Sequence, residues 1–202
     1  MNYGEIKSHF EALLNRSDIT PALTTTFIDQ SIARIQRQLR TPANESVSTY
    51  AISGVTSQIQ LPTDFLEIIS LYLDDTELQR IPMGKMRPYT VNPTLGTPKY
   101  FTRQQQNLIL HPQPTSGNLV LYYYSEFAPM TADSDENALA AVAPDLITYG
   151  ALAYSADFYL DERSAVFESK FNQFLNELQE QSNDQELNGG TQVMQPAYTY
   201  AD

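Results

Sequence analysis

The 202-residue chain has no cysteine and no tryptophan. Without cysteine there can be no disulfide framework, thiolate zinc site, iron–sulfur cluster or thiol nucleophile. This absence fits a reducing compartment without requiring one. Histidine is scarce, with only His9 and His111. Basic residues are few as well: 12 Lys+Arg against 24 Asp+Glu leave a formal net charge of −12. Phosphate binding needs a clustered positive field, so this balance argues against a general nucleic-acid binder. The longest strongly apolar, charge-free run, Leu146–Ala156, has eleven residues and is too short to cross a bilayer. The opening MNYGEIKSHF has no basic region followed by an apolar run, so no signal peptide is expected. A chain of this length buries roughly 70% of its unfolded surface and needs no covalent staple. One moderate domain, or one domain carrying a small insert, is expected.

Catalytic signatures are missing too. The chain has no HExxH, no GxSxG, no glycine-rich phosphate loop and no Cys–His pair. His9 falls on a first-helix face and His111 precedes Pro112 at a strand end; both read as structural or exposed. The carboxylate groups at Asp161-Glu162 and Asp133–Glu136 lack EF-hand spacing with its turn glycine. The sequence therefore points to no enzyme, no active site, no metal and no cofactor.

What charge there is lies unevenly. Residues 1–103 carry 10 basic and 10 acidic residues, whereas residues 104–202 carry 2 basic (Arg163, Lys170) and 14 acidic. All the surplus acidity is therefore in the second half. It keeps the protein soluble, or marks a surface that must not hold DNA or that meets a basic partner; charge alone does not separate these.

Local signals divide the chain into elements. Asn2 and Glu5 form a capping-box pattern before Ile6, Phe10, Leu13 and Leu14, giving a helix to about Asn15. Thr20-Pro21 opens a second helix to about Arg40. Ile28, Ile32, Ile35 and Leu39 form its packing stripe, with Arg34, Arg37 and Arg40 opposite on a solvated or subunit-facing side. Short strands follow at Val47–Ile52, Ser57–Leu61 and Phe65–Leu73. Asp74-Asp75 reads as a hairpin turn to Thr76–Ile81 rather than as an acid/base pair, because Asp tolerates the left-handed geometry. Pro82–Pro98 reads as a loop holding about one helical turn. Lys99–Arg103 pairs with Leu108–His111, and Leu119–Phe127 follows a turn at Ser116–Asn118. Side chains alternate along a strand, so Tyr122, Tyr123 and Tyr124 put aromatics on both faces. One of those faces meets the core; the other is ordinary surface or meets another chain.

Pro144-Asp145 opens a helix to Leu160 that is apolar nearly all round. A chain with so few helices can hardly surround it, which leads to the expectation of a contact across a subunit boundary. The candidate interface residues are Tyr149, Leu152, Tyr154, Phe158 and Tyr159, with Gly150, Ala151, Ala153 and Ala156 allowing close backbone approach. A last helix runs from about Ala165 to Glu180. The end of the chain is polar and glycine-hinged, yet carries Val193, Met194, Tyr198 and Tyr200. Tyr198 and Tyr200 share a face if extended, which suggests a short docking strand or else an ordinary frayed end. The fold class is α+β: a helical bundle of two N-terminal and two C-terminal helices, with an inserted antiparallel β-meander and an extended C-terminal tail. The helical domain spans 1–43 and 138–185, the β-rich insert 44–137 and the flexible tail 186–202.

This layout resembles the head-to-tail adaptor (connector) proteins of tailed bacteriophages, especially short-tailed ones. The matching stretches are IARIQRQLR (Ile32–Arg40), LPTDFLEIISLYLDD (Leu61–Asp75), LILHPQP (Leu108–Pro114) and PDLITYGALAYSADFYLDERSAVFESKFNQFLNEL (Pro144–Leu178). The likeness covers about residues 3–185. The helix patterns are generic, but their order around the strand block is not.

The resemblance implies a virion protein of the neck, made in the host cytoplasm. It implies a homo-oligomeric ring, commonly a dodecamer, docked under the portal protein. The β part would receive tail nozzle or fibre proteins, and Gly189–Asp202 would reach the portal. DNA would pass through the channel without specific binding, and no membrane is involved. The family has no catalytic residues to carry over. A ring needs two different, complementary faces on each subunit, and many weak tails then act together. An acidic wall that repels phosphate would let the genome slide. The rival readings are another neck or tail-completion ring protein, and an acidic DNA mimic. The apolar helix and charge-poor tail fit the mimic poorly.

Overall fold

The computed structural model describes residues 1–187, so the tail residues Val193, Met194, Tyr198 and Tyr200 lie outside the described residues. The structure is α+β, with six α-helices and two four-stranded sheets among the described residues. It divides into a helical unit (residues 1–41, 132–136 and 140 onward) and a β unit (42–131 and 137–139).

In the helical unit, α1 (Tyr3–Leu14) starts with the capping box: Asn2 accepts from the Glu5 N–H and the Glu5 side chain accepts from the Asn2 N–H. Its buried row is Tyr3, Ile6, Phe10 and Leu14, and Asn15 ends it in the left-handed region at φ 54°. Thr20 caps α2 (Pro21–Gln38) by accepting from the Leu23 N–H at 3.3 Å. Ile28, Ile35 and Leu39 are buried, and Ile32 is half-buried. The short α4 (Ala138–Val142) precedes α5 (Pro144–Tyr159), and α6 (Ser164–Leu187) closes the described chain. Helix α5 packs against α1, α2 and α6.

In the β unit, β1 (Glu45–Ser53), β3 (Phe65–Leu73), β4 (Thr76–Glu77) and β8 (Ser116–Ser125) form one antiparallel sheet in the order β1-β8-β3-β4. The second sheet runs β2-β7-β6-β5, from β2 (Gln58–Gln60), β7 (Asn107–His111), β6 (Tyr100–Gln104) and β5 (Gln79–Arg80). Helix α3 (Met83–Val91) contacts β6 and β7. This is not the expected meander. The last strand lies between the first and third, and β5 joins β6 in parallel. Strand order is set by which apolar faces meet, and local turn signals do not carry it. The expected strand Thr76–Ile81 is also split between the two sheets around Leu78, which is buried. The expected turn at Ser116–Asn118 is instead the paired start of β8, and the proline-rich loop contains a nine-residue helix.

One apolar core joins both sheets, with Leu71, Leu119 and Leu121 of one against Phe101, Leu108 and Leu110 of the other. Asp74 is the hairpin residue at φ 52°, and its carboxylate accepts from the Asn118 N–H at 2.9 Å. This is the turn chemistry expected of it.

Candidate interaction surfaces

Among the described residues, no three or more His, Cys, Asp or Glu side chains are grouped to hold a metal ion, and no helix is long and apolar enough to cross a membrane. His9 is exposed, and His111 is buried and stacked on Tyr89 at 4.3 Å.

Helix α5 overturns the premise drawn from its sequence. Leu146, Ile147, Ala151, Leu152 and Ala156 are all fully buried within their own chain. Leu152 therefore offers nothing to a neighbour in this fold. Close packing is the reason a few helices suffice. A Cβ on Gly150 would lie 2.2 Å from the Ser31 Oγ and 3.0 Å from the Phe171 ring, so α2 and α6 approach where the side chain is missing. Tyr149 and Tyr154 are half-buried. The Tyr149 hydroxyl accepts from Lys170 at 3.1 Å, and its ring lies 5.5 Å from that of Phe174.

The C-terminal end of α5 is different. Phe158 is 58% exposed although its ring meets Phe27 edge-on at 5.7 Å, and Leu160 is 90% exposed. Leu160 is the C-cap, left-handed at φ 53°. The helical wheel places it with the buried face, but the helix stops at Tyr159 and turns it out; periodicity does not reveal where a period ends. Tyr159 is half-buried beneath the Arg16 guanidinium, 4.1 Å from its ring, and its hydroxyl is buried without a hydrogen-bond partner. Arg163 braces this end. It donates to both carboxylate oxygens of Asp161 and to the Leu13 and Leu14 carbonyls that end α1. Those hydrogen bonds hold the Asp161 carboxyl down at about 2. Phe158 and Leu160 thus form an exposed apolar knob at the end of α5.

The outer face of the β1-β8-β3 sheet is a second surface. Val47 is 55% exposed, Ile69 44% and Tyr122 41%. Register places Val47 and Ser70 beside Tyr122, and Thr49 and Tyr72 beside Val120. Tyr72 meets Tyr122 edge-on at 5.9 Å. A register slip between Ile68 and Ser70 inserts Ile69, which no alternation rule anticipates. Glu45, Asp74 and Asp75 line the same groove. Behind it, Tyr123 is buried, stacked on Phe65 at 5.8 Å, and donates to Asp64 at 3.1 Å. The tyrosine run does serve both faces of one strand.

Arg34, read from sequence as solvated or subunit-facing, is instead committed within its chain. It makes two hydrogen bonds to Glu168 and lies over the Phe171 ring at 4.1 Å. The pairing lowers the Glu168 carboxyl from its ordinary value.

The exposed knob and the apolar sheet face are surfaces at which a protein can meet others. The family model described as SU10 adaptor protein matches residues 1–195. The chain belongs to this family of phage head-to-tail adaptors. It is accordingly a structural protein of the bacteriophage virion, of the kind that joins head to tail at the neck. Comparison with curated proteins found no match.

Proposed function

We propose that this adaptor forms a homo-oligomeric ring, commonly a dodecamer, beneath the portal protein, extending the DNA channel and presenting a platform for tail nozzle or fibre proteins. The family match over residues 1–195 carries this reading. The exposed knob at Phe158 and Leu160 supports it, because a closed ring of identical subunits needs heterologous faces. Val193, Met194, Tyr198 and Tyr200 supply the portal-docking segment. One weak contact per subunit suffices, since attachment of the ring raises the effective concentration of the others. The helical unit has 17 acidic residues against 7 basic over 1–41, 132–136 and 140–202. A surface of that sign repels phosphate, so DNA passes without being held.

Mixing the full chain with isolated portal rings and imaging the product tests the proposal. A ring seated on the portal is expected, and a chain ending at Leu187 should keep its melting temperature and lose the attachment. Binding only to a preassembled portal–adaptor complex would reassign the protein to a tail-completion ring further down the neck.

A further inference from the structure

The acidic character of this protein has a gap. Between Glu77 and Glu126 there is no acidic residue, and Arg80, Lys85, Arg87, Lys99 and Arg103 all fall within that stretch. Helix α3 (Met83–Val91) lies in the middle of it. Met86 is its one buried residue; Tyr89 adds a stack on Tyr100 and His111. Met83, Arg87 and Val91 follow one another at helical i, i+4 spacing along an exposed face. Met83 is 38% exposed and Val91 69%, and Leu95 beyond the helix is 62% exposed. Lys85 is exposed on the other flank of Met86. No ion pair engages Lys85 or Arg87 among the described residues. The exposed face of this helix is basic and partly apolar, and its cations are in no ion pair among the described residues.

The opposite surface is found on α6. Gln173, Glu177, Glu180 and Asp184 succeed one another along one exposed side of its C-terminal half. Glu177 accepts only from its own Gln173, and no cation pairs with Glu177, Glu180 or Asp184 among the described residues. The two rows have opposite charge and belong to different units of the chain.

We propose that α3 of one copy docks on the acidic row of α6 of the next, and that this heterologous contact sets the register of the ring. The inference rests on the ring reading above and deepens it by naming the two faces. Charge complementarity carries it: each copy holds one basic and one acidic row, and two different faces per subunit are what head-to-tail closure requires. Met83 and Val91 add apolar area beside the charges, so the contact survives at moderate ionic strength, where exposed pairs alone are screened.

Sedimentation of the full-length protein at low and high salt tests this. Self-association is expected at low salt and should weaken as salt rises. The α3 variant K85E/R87E and the α6 variant E177K/E180K should each weaken it about ten-fold, and mixing the two should restore it. All four side chains are exposed, so both variants should melt like the parent. If K85E/R87E does not fold, K85Q/R87Q gives the same reading at lower amplitude. Parental association in K85E/R87E overturns the inference but leaves the ring reading standing on another contact. Loss in the α3 variant without loss in the α6 variant removes α6 as the seat. A parent that stays monomeric under all conditions also overturns it, while portal-templated rings remain open to imaging. Binding of a short DNA duplex that K85E/R87E abolishes would give α3 to nucleic acid instead.

Discussion

The Ser31 hydroxyl donates to the Ile147 carbonyl at 2.8 Å, wholly buried and across 116 residues of sequence. It lies where Gly150 has no side chain, so this glycine is a packing requirement in a helix that would otherwise favour alanine. Gly150→Ala gains about 1 kcal/mol of helix propensity, but must displace Ser31 and Phe171, at an overpacking cost of about 1–3 kcal/mol. Net destabilisation is expected in urea unfolding. Ser31→Ala alone should cost about 1 kcal/mol. The double variant should be less destabilised than the two singles predict, because removing Oγ relieves the clash.

Arg34 and Glu168 tie α2 to α6. Arg34→Ala should cost about 1–2 kcal/mol, since it removes the pair and the stack on Phe171 together. Glu168→Gln should cost less, about 0.5–1 kcal/mol, because the carboxylate is partly exposed. Thermal melts of both variants decide the order.

The same pair has a pH signature. Glu168 is lowered in the fold from the ordinary 4.5, chiefly by its hydrogen bond from Arg34. The folded state thus binds its proton less readily than the unfolded chain. Its contribution is complete above the ordinary value and fades as pH falls through the folded one. The difference in melting temperature between parent and Glu168→Gln should be constant at neutral pH and shrink below about pH 4.5. Asp29 works in the opposite sense: burial raises its carboxyl, so acidification relieves a cost there. Asp29→Asn should flatten that part of the profile.

Arg163 connects the α5–α6 turn to the end of α1 through the Leu13 and Leu14 carbonyls. Arg163→Ala should lower the melting temperature by roughly 2 °C, and Arg163→Lys should not restore it, since one ammonium cannot bridge a carboxylate and two carbonyls as the planar fork does. The Asp161 end of this network should persist until the pH approaches about 2.

Much of the molecule was legible from neighbours in sequence. The capping box at Asn2 and Glu5, the Thr20-Pro21 start and the Asp74 turn are interactions between residues a few positions apart, and their chemistry is written locally. Phe65–Leu73 was readable as a strand because β-branched and aromatic residues crowd there. The order of family-like segments around the strand block pointed to the adaptor family, and the family match agrees.

What covers a surface was not legible. An apolar helix looks the same in sequence whether its own chain or a neighbour buries it, and the intrachain cover of α5 depends on how closely α2 and α6 approach at Gly150. Leu160 and Ile69 became surface residues through a helix end and a register slip, neither of which follows from period. Strand order likewise needed the whole β unit, because β8 finds its place between β1 and β3 by matching apolar faces over long separations. Sequence alone thus determined where the charge lies and most of the long helices and strands, though not α3 or the start of β8, since propensity and charge belong to single residues and near neighbours. Tertiary structure decided which apolar residues remain uncovered, because burial is a property of pairs of surfaces and exists only once the chain has brought them together.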